Sequence, residues 1–376
     1  MNLIVFLTWD YSLKTWAESG TLDRELRLFK KLVDRYNASI TFFTYGNDSD
    51  ISYIKNYPEF KIIPIYQHFN YERNKLLRLI KSFIFPFYIK KMCKDVDIVY
   101  HNQLLGSWIA IIFKRIINKP LIIRTGYDMY QFAIQDNKSK LIINLYKFLT
   151  YLSLMFCNKY SVTSKSDFDL LAKIYPKFKN RLIIRPNWVD IVRNEKFESR
   201  KTKKILSVGR LVNQKNYKYL IDEFKNTNKF LEIDIVGSGP KLNYLKNLAL
   251  ENNVNVNFLG NLIYEDLIQL YSEYKYFVST SIFEGNPKSL LEAMGSGCVV
   301  FASNIQNHKE LIDDDTNGFL YSLKQGELIK KFNQKTKDET KLKEVNINSF
   351  NTIRSKNSFN LLLKNTYDDL LKLKFK

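Results

Sequence analysis

One strand-to-helix turn carries most of the information in this chain, and it reads Phe283-Glu-Gly-Asn-Pro-Lys-Ser-Leu-Leu-Glu-Ala-Met-Gly295. Asn286 is a favourable N-cap and Pro287 suits the first helical position. This reading puts Glu284 on the loop and Glu292 in the second turn of the helix. Because the N–H groups of a helix start favour anions, the turn predicts a phosphate site with hydroxyl-rich groups on either side.

Outward from this turn, short β-branched or aromatic runs alternate with helical patterns along the chain. Such alternation is typical of parallel sheets covered by helices on both faces, so we expect an α/β fold with two Rossmann-like, doubly wound domains. The predicted strands are 3–7, 39–44, 61–65, 97–100, 121–124, 160–163 and 182–185, followed by 205–208, 231–236, 254–258, 276–279 and 298–302.

The length of 376 residues also favours two domains, since single cores rarely grow beyond about 300 residues. The polar run from Arg193 to Lys204 has almost no apolar content and predicts the boundary. We expect an N-terminal domain at 1–190, a linker at 191–203, a C-terminal domain at 204–350 and a helix at 351–376 that packs back toward the first domain.

Charge and cysteine usage limit the function classes. The net charge is +20, and residues 1–190 carry 29 Lys/Arg against 16 Asp/Glu, or +13. A basic surface can serve nucleic acid, anionic lipid or an acidic substrate. Cys93, Cys157 and Cys298 form no CxxC pair and only three His exist, so we expect neither disulfides nor a Cys/His metal site, and a cytoplasmic location fits best.

Two apolar segments bear on the membrane. Residues 1–8 are short and lack a basic leader, so they predict a first strand rather than a signal peptide. The longest apolar stretch, 141–157, falls short of the ~20 residues needed to span a bilayer. The sequence therefore predicts no segment that crosses a membrane.

Other loops at the ends of predicted strands contain candidate ligand-binding residues. Gly209 allows close backbone approach, and Arg210 and Lys215 could neutralise a diphosphate, although two such cations alone are more often surface residues. The Gly237-Ser-Gly-Pro240 turn lacks the full dinucleotide fingerprint, so we interpret it as a pocket wall with Gly237 as the contact. Residues 313–315, three consecutive Asp, lie in a polar turn and predict an exposed turn rather than a metal site.

The second half resembles the nucleotide-binding domain of the family 4 retaining glycosyltransferases, which have the GT-B fold of two Rossmann-like domains facing a central cleft. The residues that carry the resemblance are Gly209-Arg210 with Lys215, Val236 to Pro240, Asn257 to Gly260, Glu284 to Met294, and Glu310 with Asn317-Gly318. They match in order and spacing over 203–321. Residues 186–190 resemble the interdomain signature of that family, with Trp188 where glycine is usual.

The resemblance implies roles for these positions. Glu284, Arg210 and Lys215 would be the catalytic residues: the two cations bind the donor diphosphate and Glu284 binds the sugar. Glu292 would bind the nucleotide ribose. The rest of the donor site would be formed by Gly209, Gly237, Gly285, Asn286, Pro287, Ser289 and Leu290.

The first half matches the family less well. Gly20 and Arg24 follow the first strand, where the family has a glycine-bearing acceptor loop. Arg124 follows a strand where many members have a histidine, and this chain has none there. Arg124 could contact a phosphate or an anionic acceptor, or support the strand end; both readings stay open. Residues 71–94 mix basic and apolar side chains, which fits either docking on an anionic leaflet or a core helix with a solvated face.

The sequence thus predicts a metal-independent retaining glycosyltransferase without a cofactor. It would transfer a sugar from a nucleotide-diphosphate-sugar to a hydroxyl of a glycan or lipid-linked acceptor in cell-surface polysaccharide or lipopolysaccharide synthesis. It would work in the cytoplasm or on the inner face of the cytoplasmic membrane. The alternatives are a GT-B-fold sugar-nucleotide epimerase and, third, a basic nucleic-acid-binding protein, for which no recognised module is present.

Overall fold

The chain forms two compact units. The computed structural model describes residues 1–93, 95–190, 197–225 and 231–375. Unit 1 comprises Met1–Arg185 together with Leu363–Lys376, and unit 2 comprises Pro186–Leu362. Each unit is an α/β domain built on one sheet, as the alternating pattern predicts.

Unit 1 contains a seven-stranded sheet in the order β3-β2-β1-β4-β5-β6-β7, in which every neighbouring pair is parallel. Its strands are β1 Asn2–Phe6, β2 Ser39–Thr44, β3 Phe60–Pro64, β4 Ile98–Asn102, β5 Leu121–Arg124, β6 Lys159–Val162 and β7 Leu182–Ile184. Its helices are α1 Leu13–Glu18, α2 Leu22–Tyr36, α3 Ser49–Ser52, α4 Lys75–Ser82, α5 Phe85–Met92, α6 Ser107–Ile117, α7 Met129–Gln135, α8 Lys140–Phe156 and α9 Lys165–Ile174.

Unit 2 contains a six-stranded parallel sheet in the order β10-β9-β8-β11-β12-β13. Its strands are β8 Lys201–Val208, β9 Glu232–Val236, β10 Val256–Gly260, β11 Tyr274–Ser279, β12 Val299–Ser303 and β13 Phe319–Tyr321. The helices are α10 Tyr217–Glu223, α11 Leu242–Glu251, α12 Tyr264–Glu273, α13 Lys288–Gly295, α14 Gln306–Lys309, α15 Glu327–Lys335, α16 Glu339–Lys356 and α17 Phe359–Lys374, and most of α17 belongs to unit 1.

Successive strand residues of unit 2 alternate between two cores, as both-sided burial requires. Ile205 and Ile233 pack into the core on one face of the sheet, whereas Leu206, Val236 and Phe277 pack into the core on the other. The sheet is therefore covered on both faces, which leaves its strand ends as the accessible edges.

The unit boundary differs from the predicted one because residues 186–190 are held by unit 2. The backbone N–H of Asn187 donates to the side-chain oxygen of Asn286 at 2.8 Å, and the N–H of Val189 donates to the carbonyl of Asn357 at 3.1 Å. Lys201 opens strand β8, so 201–203 belong to a strand rather than to the predicted linker. Residues 191–196 of that linker lie outside the described residues.

The C-terminal helix is divided between the two units. Leu363–Lys376 groups with unit 1. There Tyr367 stacks on Tyr36 with ring centroids 3.6 Å apart, and Asp369 accepts two hydrogen bonds from the Arg185 guanidinium at 2.6 and 2.7 Å. Residues 351–362, which were predicted to belong to the same C-terminal helix, remain in unit 2.

The loops that leave β8, β9 and β10 lie backbone against backbone. The N–H of Leu211 donates to the carbonyl of Ser238 at 2.9 Å, and the N–H of Gly237 donates to the carbonyl of Gly260 at 2.7 Å. Gly237 has φ +135°, and a Cβ atom there would lie 2.1 Å from the carbonyl oxygen of Gly209. Only glycine fits this approach, so the three loops form one surface at the carboxyl edge of the sheet.

We expect Gly237→Ala to destabilise unit 2 by about 3 kcal/mol or more, because overlap with a backbone oxygen adds to positive-φ strain. The control is Gly260→Ala, where φ is +70° but no atom lies within 4 Å of the added Cβ. That variant should lose only about 1–2 kcal/mol from the backbone conformation. Urea unfolding compares the two, and equal losses would contradict the close-approach explanation.

Candidate active site

The candidate site lies where the strand order of unit 2 reverses. Strand β8 has β9 on one side and β11 on the other, so the loops after β8 and β11 leave the sheet beside each other. In doubly wound sheets, ligands bind in the crevice at such a switch point. The loop after β8 carries Gly209, Arg210 and Lys215, and the loop after β11 carries Glu284.

An ion pair joins these two loops. The Nζ atom of Lys215 lies 2.5 Å from Oε1 of Glu284. The side chain of Glu284 is only 8% exposed and that of Lys215 only 16%. A pair this enclosed is screened little by solvent, so the carboxylate and the ammonium fix each other's position.

Neighbouring polar groups complete the coordination of the Glu284 carboxylate. Ser281 Oγ donates to Oε1 at 2.6 Å, and Gln214 Nε2 donates to Oε2 at 3.3 Å and to the carbonyl of Phe283 at 3.0 Å. Thr280 Oγ1 donates to the carbonyl of Lys215 at 2.7 Å. The two loops are thus joined by side chains and backbone as well as by charge.

Burial and charge act in opposite directions on the pKa of Glu284. Burial alone would raise the pKa above the usual 4.5, but the Lys215 ammonium, its hydrogen bond and the Ser281 hydroxyl lower it below that value. Glu284 is therefore a carboxylate at neutral pH, held in place as an acceptor of hydrogen bonds. This state suits binding of sugar hydroxyls better than donation of a proton.

His308 and Ser303 form a support behind Ser281 that the sequence analysis missed. Ser303 Oγ donates to the carbonyl of Ser281 at 2.5 Å, and Nδ1 of His308 lies 2.8 Å from the carbonyl of Ser303. Burial lowers the pKa of His308 to about 4, so the ring is neutral at pH 7. Nothing in the local sequence marks His308, because only the order of β11 and β12 brings it near the loop.

The start of helix α13 differs from the prediction. The helix begins at Lys288 with Pro287 at the N-cap position, and no side chain caps it. Asn286 is not the N-cap, because its side-chain oxygen accepts from the N–H of Asn187 and its carbonyl accepts from Asn187 Nδ2, both at 2.8 Å. The buried Asn286 instead fastens the loop to the segment 186–190.

The predicted donor-binding residues of α13 divide into two groups. Gly285, Asn286 and Pro287 lie on the loop beside Glu284, and Ser289 lies in the first turn, where backbone N–H groups have no acceptor four residues earlier. Leu290 is fully buried in the core, so only its backbone N–H could meet a ligand.

Glu292 points into the interior of unit 2. It is 4% exposed, and the hydroxyl of Tyr271 donates to its Oε2 at 3.3 Å. Glu292 therefore lies inside helix α13, whereas Glu284 lies on the loop that precedes it. The role of Glu292 at a ribose stays a prediction.

Arg210 lies at the open side of the site. It is exposed on the loop after Gly209, whereas a Cβ at Gly209 would lie 2.8 Å from Cε of Lys215. Glycine therefore lets the Lys215 side chain pass close to the backbone on its way to Glu284. The exposed guanidinium and the enclosed ammonium supply positive charge at one strand end.

The predicted acceptor-side residues all belong to unit 1. Gly20 follows α1 with φ +67° and open space around its Cα. Arg24 lies in the first turn of α2. Arg124 ends β5, where its carbonyl accepts from the N–H of Gln103 at 2.7 Å. Their contact with an acceptor stays a prediction.

The acidic turn at 313–315 is an ion-pairing surface. Asp314 pairs with Lys331 at 2.9 Å, and Asp315 pairs with Lys335, whose charge offsets burial and lowers the Asp315 pKa. Within the described residues, no three His, Cys, Asp or Glu side chains are grouped so that they could hold a metal ion. The three cysteines are free thiols.

Comparison with known proteins agrees with this geometry. Residues 189–351 match the family described as glycosyl transferases group 1. The chain is 28% identical to a capsular polysaccharide biosynthesis glycosyltransferase, CapH, of Staphylococcus aureus, over 62% of this chain and 67% of that protein. It is 27% identical to the UDP-Gal:alpha-D-GlcNAc-diphosphoundecaprenol alpha-1,3-galactosyltransferase of Escherichia coli, over 66% and 68%.

Other relatives are longer. The match to the GtfA subunit of a UDP-N-acetylglucosamine–peptide N-acetylglucosaminyltransferase of Limosilactobacillus reuteri, at 26% identity, spans 58% of this chain but only 43% of that protein. Among solved structures, Anabaena HepE in complex with UDP and glucose superposes with a TM-score of 0.75 at 17% identity, over 99% of this chain and 100% of that one. This likeness shows the GT-B fold.

We expect Lys215→Met to lower the free energy of unfolding by about 3 kcal/mol at pH 7.5, because it leaves a buried carboxylate without its partner. In the wild type, the low folded-state pKa of Glu284 adds stability above pH 4.5 that is lost as the pH falls through that pKa. In the variant, burial outweighs the remaining hydrogen bond from Ser281 and raises the pKa of Glu284, so stability is lost as the pH rises. The deficit should therefore shrink between pH 7.5 and 5.

Denaturant unfolding at both pH values measures this difference. The double variant Lys215→Met with Glu284→Gln removes the buried charge and should recover much of the loss. A deficit that is equal at the two pH values, or unchanged in the double variant, would contradict the coupling of the pair.

Proposed function

We propose that this chain, which belongs to the glycosyl transferases group 1 family, transfers a sugar from a nucleoside-diphosphate donor to a hydroxyl of a glycan or lipid-linked acceptor, with retention at the anomeric carbon. The observation that carries the proposal is the enclosed Lys215–Glu284 pair at the switch point of unit 2. The pair places a fixed carboxylate, which can accept hydrogen bonds from sugar hydroxyls, beside a cation, which can bind the diphosphate.

The donor is held by complementary charge. Arg210 and Lys215 face the diphosphate, and the first N–H groups of α13 add the partial positive charge of a helix start. Glu284 accepts hydrogen bonds from sugar hydroxyls, and Glu292 accepts from the ribose. Lys215 then touches both the sugar-binding carboxylate and the leaving group, so it aligns the bond that breaks.

In the reaction, the bond between the anomeric carbon and the diphosphate oxygen breaks and the acceptor oxygen takes its place on the same face. The acceptor proton passes to the departing phosphate oxygen. Arg210, Lys215 and the helix start stabilise the developing diphosphate charge. The mechanism assigns no covalent step to Glu284, and it assigns no role to a metal or cofactor.

Two relatives support the proposed acceptor class. One acts on a sugar linked to diphosphoundecaprenol and another belongs to capsular polysaccharide biosynthesis. We propose a related role in cell-surface polysaccharide or lipopolysaccharide synthesis at the cytoplasmic face of the membrane. Gly20, Arg24 and Arg124 of unit 1 would meet the acceptor. Buried free thiols at Cys157 and Cys298 fit a reducing compartment.

A thermal-shift panel of UDP, GDP and ADP with their sugars tests donor binding. A ligand that binds only the native state, at about 100 times its dissociation constant, adds about 2.7 kcal/mol of stability. We expect one base to raise the melting temperature by several degrees and Arg210→Ala to reduce that rise, because the variant loses a charge-assisted contact to phosphate. A flat response to every nucleotide would contradict the proposal.

Glu284→Gln tests the role of the carboxylate. We expect release of nucleoside diphosphate from the selected nucleotide sugar to slow about 100-fold, since a group that orients the reacting sugar is weakened. The thermal response to the nucleoside diphosphate alone should remain, because Glu284 contacts the sugar. The matched control is Glu251→Gln, an exposed helix residue of the same unit. Turnover at the wild-type rate in Glu284→Gln would exclude the assignment.

A further inference from the structure

Helix α4 of unit 1 is packed with its polar side inward. Its buried residues are Arg78 and Ser82, whereas Leu76 is 63% exposed and Ile80 is also exposed. A helix of a soluble domain normally turns its apolar stripe to the core. Leu79 packs against the core of unit 1, but the apolar face formed by Leu76, Leu77 and Ile80 is exposed.

Polar contacts hold α4 in this orientation. The Arg78 guanidinium donates to both carboxylate oxygens of Asp10 at 2.7 and 3.1 Å, and to the carbonyls of Glu72 and Arg73 at 2.7 and 3.0 Å. The hydroxyl of Ser82 accepts from Trp108 Nε1 at 2.9 Å. The polar side chains on the inward face are thus hydrogen-bonded, and rotation of the helix would leave them without partners.

The exposed apolar surface continues onto α5. Phe85 and Ile89 of α5 are buried in the core of unit 1. Pro86 is buried as well. Six other apolar side chains of α4, α5 and their junction are exposed and form what we call the paired-helix surface: Leu76, Leu77, Ile80, Phe83, Ile84 and Phe87. Of the two readings of 71–94, a core helix therefore accounts only for part of α5. Lys94 lies outside the described residues.

A second apolar surface runs along α8. Leu141, Leu145, Phe148 and Tyr151 are exposed, Leu141 at 81%. Their spacing of four, three and three residues puts them on one face of the helix. We call this row the α8 stripe. The sequence predicts that this segment is too short to span a membrane, and no described helix is long and apolar enough to do so.

The two surfaces belong to one layer of helices. Side chains of α5, α6 and α8 share a core on the same side of the sheet, as Ile89, Phe113 and Leu154 illustrate. Ser153 of α8 lies 2.9 Å from Ser107 of α6 through their hydroxyl oxygens. The paired-helix surface and the α8 stripe are therefore carried by helices of the same layer.

Cations surround both surfaces. Arg73, Lys75, Lys90 and Lys91 are exposed beside the paired-helix surface. Lys140 and Lys147 lie on α8, and the sequence contains no Asp or Glu between Asp136 and Asp167. Exposed leucine and phenylalanine bordered by lysine are suited to the boundary between headgroups and acyl chains.

We propose that unit 1 docks on an anionic lipid leaflet through the paired-helix surface and the α8 stripe together. The charge favours this occupant over a second copy of the chain, because two such faces would bring like charges together. Docking goes beyond the proposed sugar transfer and requires no nucleotide. For a lipid-linked acceptor, it would hold unit 1 at the surface where that acceptor lies.

Vesicle sedimentation of the full chain tests the docking. We expect binding to phosphatidylcholine vesicles that contain one-third phosphatidylglycerol, and much weaker binding to pure phosphatidylcholine. Neutralising Lys90 and Lys91 to Gln should weaken binding about 30-fold at low salt, since each cation near an anionic surface is worth about fivefold. Raising the salt to 0.5 M should have a similar effect in the wild type.

Apolar substitutions separate the two surfaces. We expect Leu76→Gln with Ile80→Gln, and Leu145→Gln with Phe148→Gln, each to weaken binding at least tenfold. The matched control is Leu250→Gln with Ile263→Gln, which removes two exposed apolar side chains of unit 2 and should leave binding unchanged. All variants should keep the circular dichroism spectrum and the thermal response to nucleotide, so a failure of docking is distinct from a failure of the proposed function.

Several outcomes would overturn the proposal. One is equal binding to neutral and anionic vesicles, and another is equal loss in the unit 2 control. A third is no vesicle binding together with a dimer in light scattering that the Leu145 and Phe148 substitutions dissociate, because the surface would then be an interface between copies. Wild-type binding in the α8 variant would exclude the stripe.

Discussion

The contact on which the candidate site depends is the enclosed ion pair between Lys215 and Glu284. A carboxylate at this depth is costly without a partner, and Lys215 alone offsets much of that cost. Because the two residues follow β8 and β11, the pair also fixes the relative position of the two loops at the switch point of the sheet. The same contact thus stabilises unit 2 and holds a cation beside a carboxylate at that edge of the sheet.

Close backbone approach is the second constraint, and it explains the glycines better than ligand binding does. The carbonyl of Gly209 occupies the space where a Cβ of Gly237 would lie, and Gly209 itself leaves room for the Lys215 side chain. The glycines that were predicted to contact a donor therefore also have a packing role. The ligand contacts predicted for these glycines and the geometry seen in the structure are compatible, because a loop held this rigidly needs little reordering on binding.

Most of the fold could be predicted because buried parallel strands have short, continuous apolar sequences. The errors fall where this rule fails. Lys201 and Lys203 were placed in the predicted linker, yet β8 includes them, because its start lies beside β11 and Lys201 pairs with Glu273. Strand β13 was missed because it has only three residues. At the candidate site, the meeting of the loops that carry Glu284 and Lys215 could be predicted from the order of the strands. Asn286, in contrast, was assigned to a cap from local propensity and instead makes a tertiary contact with Asn187.

The spacing of apolar residues in the sequence also predicts an amphipathic helix, but it does not determine which face of the helix is buried. In α4, the apolar residues recur at helical spacing, and the usual inference would turn them to the core. The inference fails because Arg78 meets Asp10, a residue at φ +67° on the loop after β1, and only the folded sheet brings the two together. A helix that buries a hydrogen-bonded arginine and exposes its leucines is unfavourable in a domain that is surrounded only by water. It is a reasonable one where the outward face meets hydrocarbon, since the leucines are then buried by the bilayer and Arg78 remains paired inside the protein.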